Sequence, residues 1–302
     1  MMNTIRNIVL ATMLLVCAGQ VFANDEILKP FVLGSKGPGD FEEKIETTKA
    51  ALVANGFTVV GAYSPYNDAE IIVVTNDELK KNAAKSEYGG FGAIQRISVT
   101  NVKIDNEIQV SYTNPVYMAN VYRMNGNLQS VRAKLKKALG RIQDFGAQGM
   151  TAGKLRKYHY MIGMEEFNEP SLLASYGSHE EAVKAVEKGL KPGKYGLTQV
   201  YRVDIPGKQE VVFGVGMKGA TEAEKYADDK FIMREIDFRD LKSTAHLPYE
   251  VLVSGKDIYA LYARFRIAIN FPDLAIIDKN SFMNIMNSPE AIRETLQQAV
   301  SP

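Results

Sequence analysis

The sequence predicts an α+β fold made of two related units, and three observations carry that prediction. The chain has 302 residues, 46% hydrophobic and 24% charged, with net charge +1, the balance of an ordinary globular protein long enough for two modest domains. An apolar run, polar break and second apolar run in "GFTVVGAYSPYNDAEIIVV" (from Gly56) return in "GLTQVYRVDIPGKQEVVFGV" (from Gly196). The register agrees as well: Gly56, Thr58 and Glu70 recur at one constant offset as Gly196, Thr198 and Glu210. Ile108 and Tyr112 recur as Ile258 and Tyr262 at a slightly larger offset, so the second copy carries a longer insertion.

The first 23 residues stand apart. Arg6 precedes the short apolar run "NIVLATMLLVCAG", and Val21-Phe22-Ala23 places small residues where signal peptidase cuts. That is the layout of a secretory signal rather than a membrane span. Cleavage after Ala23 removes Cys17, the only cysteine, leaving no thiol for a disulfide or a metal. A periplasmic location is expected. A near-neutral charge balance gives no pull toward nucleic acid, and no later segment reaches membrane-spanning length.

The first unit is expected over 24–142 and opens with the strand "ILKPFVLGS". Asp40, with Glu43 three places on, caps a helix whose Phe41, Ile45, Thr48 and Leu52 share a face, and Gly56 ends it. Strands come next at Phe57–Tyr63 and Glu70–Thr75, with "SPYND" as the turn between them. A short polar helix near Asp77–Lys85 precedes the hairpin "VKIDNEIQVSY", which turns at Asp105-Asn106. A helix carrying Leu128, Val131, Leu135 and Leu139 closes the unit.

A connecting segment at 143–164 leads to the second unit, 165–302, which keeps the same order. "SLLASYG" is the opening strand, and Ser178 with Glu181 caps the next helix. Strands at Leu197–Asp204 and Glu210–Met217, a helix over Thr221–Glu235, a hairpin around Gly255 and a final helix begun by Pro289 complete it. Each unit reads strand, helix, four mostly antiparallel strands with a helical insertion, then helix. Helices on one sheet face leave the other face needing cover, and the second copy can supply it. The two halves are therefore expected to pack against each other through their sheets or closing helices, with a cleft at the seam as the default ligand site.

The capped helix ending in "NGF", the strand "EIIVV", the hairpin ending Tyr112-Thr113-Asn114-Pro115 and the entry "HLPYEVLVSGKDIYALY" resemble the domain-of-unknown-function 302 family. The resemblance implies an α+β fold of the TATA-box-binding-protein-like type, sometimes in tandem, and implies no activity. The copies differ: the Thr-Asn-Pro end has no equivalent after Tyr262, and Leu247-Pro248 has none before Val102.

Motifs of catalysis are missing. "HEEAV" at His179 lacks the second zinc ligand, and "GSKGPGD" at Gly34 lacks the end of a phosphate loop. His246, just before Leu247-Pro248, is expected to be structural or exposed, and Asp228-Asp229 to be a solvated pair within a helix. The basic residues Arg132, Lys134, Lys136, Lys137, Arg141, Lys154, Arg156 and Lys157 read as the solvated side of a helix and of the segment after it. Two site expectations remain. Tyr112, Asn114, Pro115 and Tyr262, at the hairpin ends, are candidates near the seam. His159, Met161 and Met164 could offer imidazole and thioether to Cu(I), and Met283 and Met286 lie on one helix face; methionine packing into a core is the competing role. The favoured reading is a periplasmic, non-catalytic binding or accessory protein for an unidentified small ligand or protein partner. A copper- or cofactor-associated redox accessory factor is the alternative, and an enzyme of unfamiliar mechanism the third; no cofactor is specified.

Overall fold

Strands buried on both faces, such as Ala69–Thr75 and Glu210–Met217, must lie between a helix layer and another sheet, and that is how the chain folds. The computed structural model describes residues 26–102, 106–159, 163–191, 194–222 and 224–302. The leader at 1–23, Asp105 of the first hairpin turn and Met161 lie outside them.

The first unit contains β1 (Phe31–Gly37), α1 (Phe41–Ala54), β2 (Thr58–Tyr66), β3 (Ala69–Thr75), α2 (Asp77–Ala84), β4 (Gln95–Val102), β5 (Glu107–Thr113), α3 (Pro115–Val121), α4 (Gln129–Leu139) and β6 (Gln143–Phe145). After α5 (Ala152–Arg156), the second has β7 (Ser171–Ser175), α6 (His179–Gly189), β8 (Leu197–Asp204), β9 (Glu210–Met217), α7 (Asp229–Ile236), β10 (Tyr249–Ser254), β11 (Asp257–Ala260), α8 (Ala263–Asn270) and α9 (Ser288–Val300). The sheets are antiparallel, with orders β2-β3-β4-β5-β1-β6 and β7-β11-β10-β9-β8. Apart from β6, added at one edge, these are the same order.

Local signals act as expected. The Asp40 carboxylate accepts from the Glu43 N–H at 2.8 Å and Ser178 Oγ from the Glu181 N–H at 3.2 Å, while the Glu181 carboxylate returns to the Gly177 N–H. Gly56, just past the C-cap of α1, and Gly196, directly before β8, both have positive φ, +81° and +67°, which a side chain would strain.

The repeat is confirmed in order and corrected in register. A bulge after Val59 in β2 matches one after Gln199 in β8, and pairing across these makes Gly61 equivalent to Tyr201 and Val73 to Gly214. Glu210 is then equivalent to Ala69, not to Glu70. A one-residue slip changes the face, so Glu210 is buried while Glu70 is half-exposed. Likewise Tyr112 corresponds to Ala260, and Tyr262 to Asn114: each of the latter stands at the N-cap of the helix after the hairpin, α8 or α3.

Other expectations change in detail. β2 continues through Ser64 and Pro65, and the turn is only Asn67-Asp68, because a second bulge lets Tyr66 pair with Ala69. The helix expected over Thr221–Glu235 is a short 3-10 turn, Lys225–Ala227, and then α7, which the Asp228 carboxylate begins by accepting from the Phe231 N–H at 2.7 Å. Helices α3 and α8 are absent from the expectation because both are buried almost all round and show no amphipathic period.

Helices α1 and α4 pack on the first sheet and α6 and α9 on the second, while the inner faces turn to each other. Equivalent parts meet equivalent parts. β2 lies on β8, where a Cβ on Gly61 would come within 2.1 Å of the Val200 carbonyl oxygen. The 3-10 turn Gly89–Gly92 covers β9 and β10, and its counterpart Thr244–His246 covers β4 and β5. The Tyr117 hydroxyl of α3 donates to the Ile269 carbonyl of α8 at 2.8 Å. This is the reciprocal pattern of a twofold dimer interface, here within one chain.

Candidate functional site

At the centre of the seam the inner sheet faces are polar. Arg96 and Glu250 hold equivalent positions, since Arg96 pairs with Val73 and Glu250 with Gly214. Arg96 Nη1 donates to Glu250 Oε1, both side chains being buried. Arg266 places Nε 3.2 Å from Glu250 Oε2, out of line for a hydrogen bond. Its Nη2 donates to the carbonyls of His246 and Pro248 at 2.8 and 2.9 Å, and its Nη1 to the Tyr122 hydroxyl. His246 is buried as well, with Nε2 3.1 Å from the Tyr249 hydroxyl; burial, helped by Arg266 and Arg96, holds its pKa well below the usual histidine value. The network is buried throughout. It ties the halves together.

The seam's two edges are related by the repeat but are built differently. At one, the β8–β9 turn reaches across to the first unit: Lys208 Nζ donates to the Ser86 carbonyl at 2.6 Å and pairs with Glu210 at 2.8 Å. Glu210 in turn accepts from the Gly90 N–H and from Ser254 Oγ. The Tyr88 and Tyr259 rings meet edge-on at 5.4 Å. That edge is shut.

At the other edge the β2–β3 turn is shorter and puts Asn67 in the place of Lys208 and Ala69 in that of Glu210. Asp68 and Gln209 fix this alignment, because their carbonyls accept equivalent N–H groups, those of Asn101 and Gly255. Asn67 cannot span the gap, and a cleft of about 550 Å³ remains. One wall is the turn Tyr66-Asn67-Asp68 with Thr100, Asn101 and Val102; the other is α7 and its end, with Lys230, Met233, Arg234, Asp237, Phe238 and Lys242. The size falls within the range of small-molecule sites.

Several groups in this wall are held in place. Asp237 is buried; its Oδ1 accepts from the Ser243 N–H at 2.8 Å and its Oδ2 from the Thr244 hydroxyl, and burial pushes its pKa up to about 6. Lys242 Nζ donates to the Arg239 and Asp237 carbonyls at the end of α7, where a cation suits the exposed C=O groups. The Tyr66 hydroxyl donates to Thr244 Oγ1 at 3.4 Å, and burial raises its pKa. Phe238 remains 47% exposed at the rim. The start of α7 is tied to the first unit by Asp229, whose Oδ2 accepts from the Tyr63 hydroxyl at 3.1 Å and from the Met217 N–H at 3.0 Å. Asp229 is thus not half of a solvated pair: it is 1% exposed, with its pKa pushed up to about 7 by burial.

The residues singled out in the sequence lie elsewhere. Tyr112 points to the helix-covered face, and its hydroxyl donates to the Gly140 carbonyl at 2.9 Å. Asn114 caps α3 and donates to the Lys29 carbonyl, with Pro115 at the first helical position. Tyr262 stands before α8 with the Arg264 guanidinium 6.0 Å from its ring. None of the four lines the cleft, which lies at the turn end of the strands; Tyr112 and Asn114 are at the opposite end, beside the start of β4. His159 is exposed, its Nδ1 3.3 Å from the Lys157 carbonyl, and Met164 lines a small pocket together with Arg264, Ile267 and Phe271. Met283 and Met286 are exposed rather than packed in the core. His179 Nδ1 lies 2.7 Å from the Gly255 carbonyl. Much of the basic group is engaged: Arg132 with Glu26, Arg141 with Asp144, Arg156 with the Met124 carbonyl.

Sequence reasoning did not single out the cleft residues. The signal that could have found them is the mismatch between copies, Asn67 and Ala69 against Lys208 and Glu210, visible only once the register is right. Comparison of the chain with protein-family models, curated proteins and solved structures found no match. The resemblance to the domain-of-unknown-function 302 family therefore rests on its sequence motifs. Among the described residues no helix is long and apolar enough to cross a membrane.

Proposed function

We propose that this chain is an exported, periplasmic, non-catalytic accessory protein that binds a small organic ligand in the open cleft at the seam edge. The observation that supports it is the asymmetry of the seam: of two edges related by the repeat, one is bridged by Lys208 and Glu210, and the other is left open at about 550 Å³. A duplicated scaffold with one closed and one open edge presents a single site, walled by both units. The cleft carries hydroxyls, amides and cations around Met233 and Phe238, groups that orient and hold a ligand. Export is supported by the secretory layout of the first 23 residues.

Native mass spectrometry of the protein recovered from a periplasmic fraction tests both parts. The expected species begins at Asn24 and carries a small-molecule adduct, which Asn67→Lys removes by spanning the cleft as Lys208 does. Asn67 is exposed in a turn, so the fold should be kept. A chain still starting at Met1, or acylated at Cys17, overturns the export reading. An adduct unaffected by Asn67→Lys overturns the cleft.

A further inference from the structure

Resting on the cleft as the ligand site, we infer that its ligand is a small organic anion with an apolar body, the anionic group held by Lys230 and Arg234 and the body lying against Phe238 and Met233. Four observations lead there. Lys230 and Arg234 are four residues apart on α7, so they stand one above the other on the wall they share. Like charges at that spacing repel, and a bound anion relieves the repulsion. Lys242 adds a third cation, fixed at the end of the same helix. Phe238, almost half exposed at the rim, offers a flat apolar surface beside them.

The carboxylates do not cancel this. Asp237 is buried, with both oxygens engaged by Ser243 and Thr244, and Asp68 belongs to the opposite wall. Arg234 also touches Glu235, at 3.3 Å, but this pair is solvent-exposed on the arginine side and weak. The wall of α7 is therefore cationic where a ligand would meet it. The closed edge makes the contrast: at the places of Lys230 and Arg234, α2 carries Glu78 and Asn82.

The test uses two fluorescent probes of nearly the same shape, 8-anilinonaphthalene-1-sulfonate and the neutral N-phenyl-1-naphthylamine. The chain has no tryptophan to interfere with the signal. The sulfonate should bind the wild type at least about tenfold more tightly than the neutral probe, a difference of about 1.4 kcal/mol. Lys230→Gln with Arg234→Gln should remove that preference, and Asn67→Lys should block both probes. Raising the salt concentration should weaken only the sulfonate, a measurement that needs no variant. Equal binding of both probes, insensitive to salt and to the double substitution yet blocked by Asn67→Lys, overturns the anion assignment and leaves the cleft standing. Failure of both probes to bind, or binding that Asn67→Lys does not change, removes the cleft reading and this inference with it.

Discussion

Glu250→Gln should destabilise the protein by about 3–5 kcal/mol, the cost of leaving buried charge without its partner. The substitution keeps the shape and removes the one carboxylate set between Arg96 and Arg266, both buried. The remaining groups around the two guanidiniums are neutral: the carbonyls of Ala245, His246 and Pro248, and the Tyr122 hydroxyl. They satisfy N–H groups without supplying a counter-charge. Urea unfolding followed by circular dichroism measures the loss. Because Arg96 and Glu250 come from opposite units at equivalent positions, the loss should fall on the whole molecule as one transition. A change below about 1 kcal/mol would show that the halves do not depend on this pair, since that is the value of an exposed ion pair.

Stability should also depend on pH through Asp229. Its pKa is pushed up from the ordinary 3.8 to about 7 in the folded chain, chiefly by burial. The folded state then holds a proton that the unfolded state has released. Stability from this group is full below about pH 4 and is lost as pH rises toward 7. Asp237, raised to about 6, acts in the same direction over a narrower window. His246 acts oppositely: its pKa is held well below 6.5, so the unfolded state takes up the proton, and stability falls as pH drops below 6.5. Wild-type stability alone mixes these effects, and a substitution separates them. Relative to wild type, Asp229→Asn should gain about 2–3 kcal/mol between pH 5 and pH 8, the effect of one raised carboxyl. A constant difference across that range would mean that Asp229 titrates normally and that the Tyr63–Asp229 contact is open to water.

Much of the fold was legible because its determinants are local. Asp40, Ser178 and Gly56 mark helix ends by chemistry that acts within a few residues, and the apolar runs on either side of the polar break at 206–209 located β8 and β9 to the residue. Helices α3 and α8 escaped because burial on every side erases the period that reveals a helix. Asp229 escaped for a related reason. Beside Asp228 it reads as a charged helix pair, but Asp228 is the cap, and Asp229 turns inward to Tyr63, a residue of the other unit.

The candidate site was less legible than the fold. That the halves pack on each other can be argued from a sheet face that needs cover, but whether sheets or closing helices meet cannot, and which edge stays open depends on the length of one turn and on Asn67 and Ala69. The turns hide that comparison: the loop from Tyr201 to its partner Gly214 is one residue longer than that from Gly61 to Val73, so the offset between the copies changes at the turn and Glu70 and Glu210 look equivalent in the linear sequence. The Thr-Asn-Pro end of the first hairpin was conspicuous for a structural reason: Asn114 and Pro115 start a helix.

The measurement closest to the central claim, a ligand held at the open edge of the seam, is hydrogen–deuterium exchange on the protein as recovered with its adduct, compared with the same protein stripped by unfolding and refolded. Exchange should be slower in the adduct form at the Tyr66–Ala69 turn, at Thr100–Val102 and from Lys230 to Lys242, with the bridged edge around Lys208 unchanged. Protection centred instead on His159 and Met164, or on Asn114 and Tyr262, or found nowhere, would contradict it.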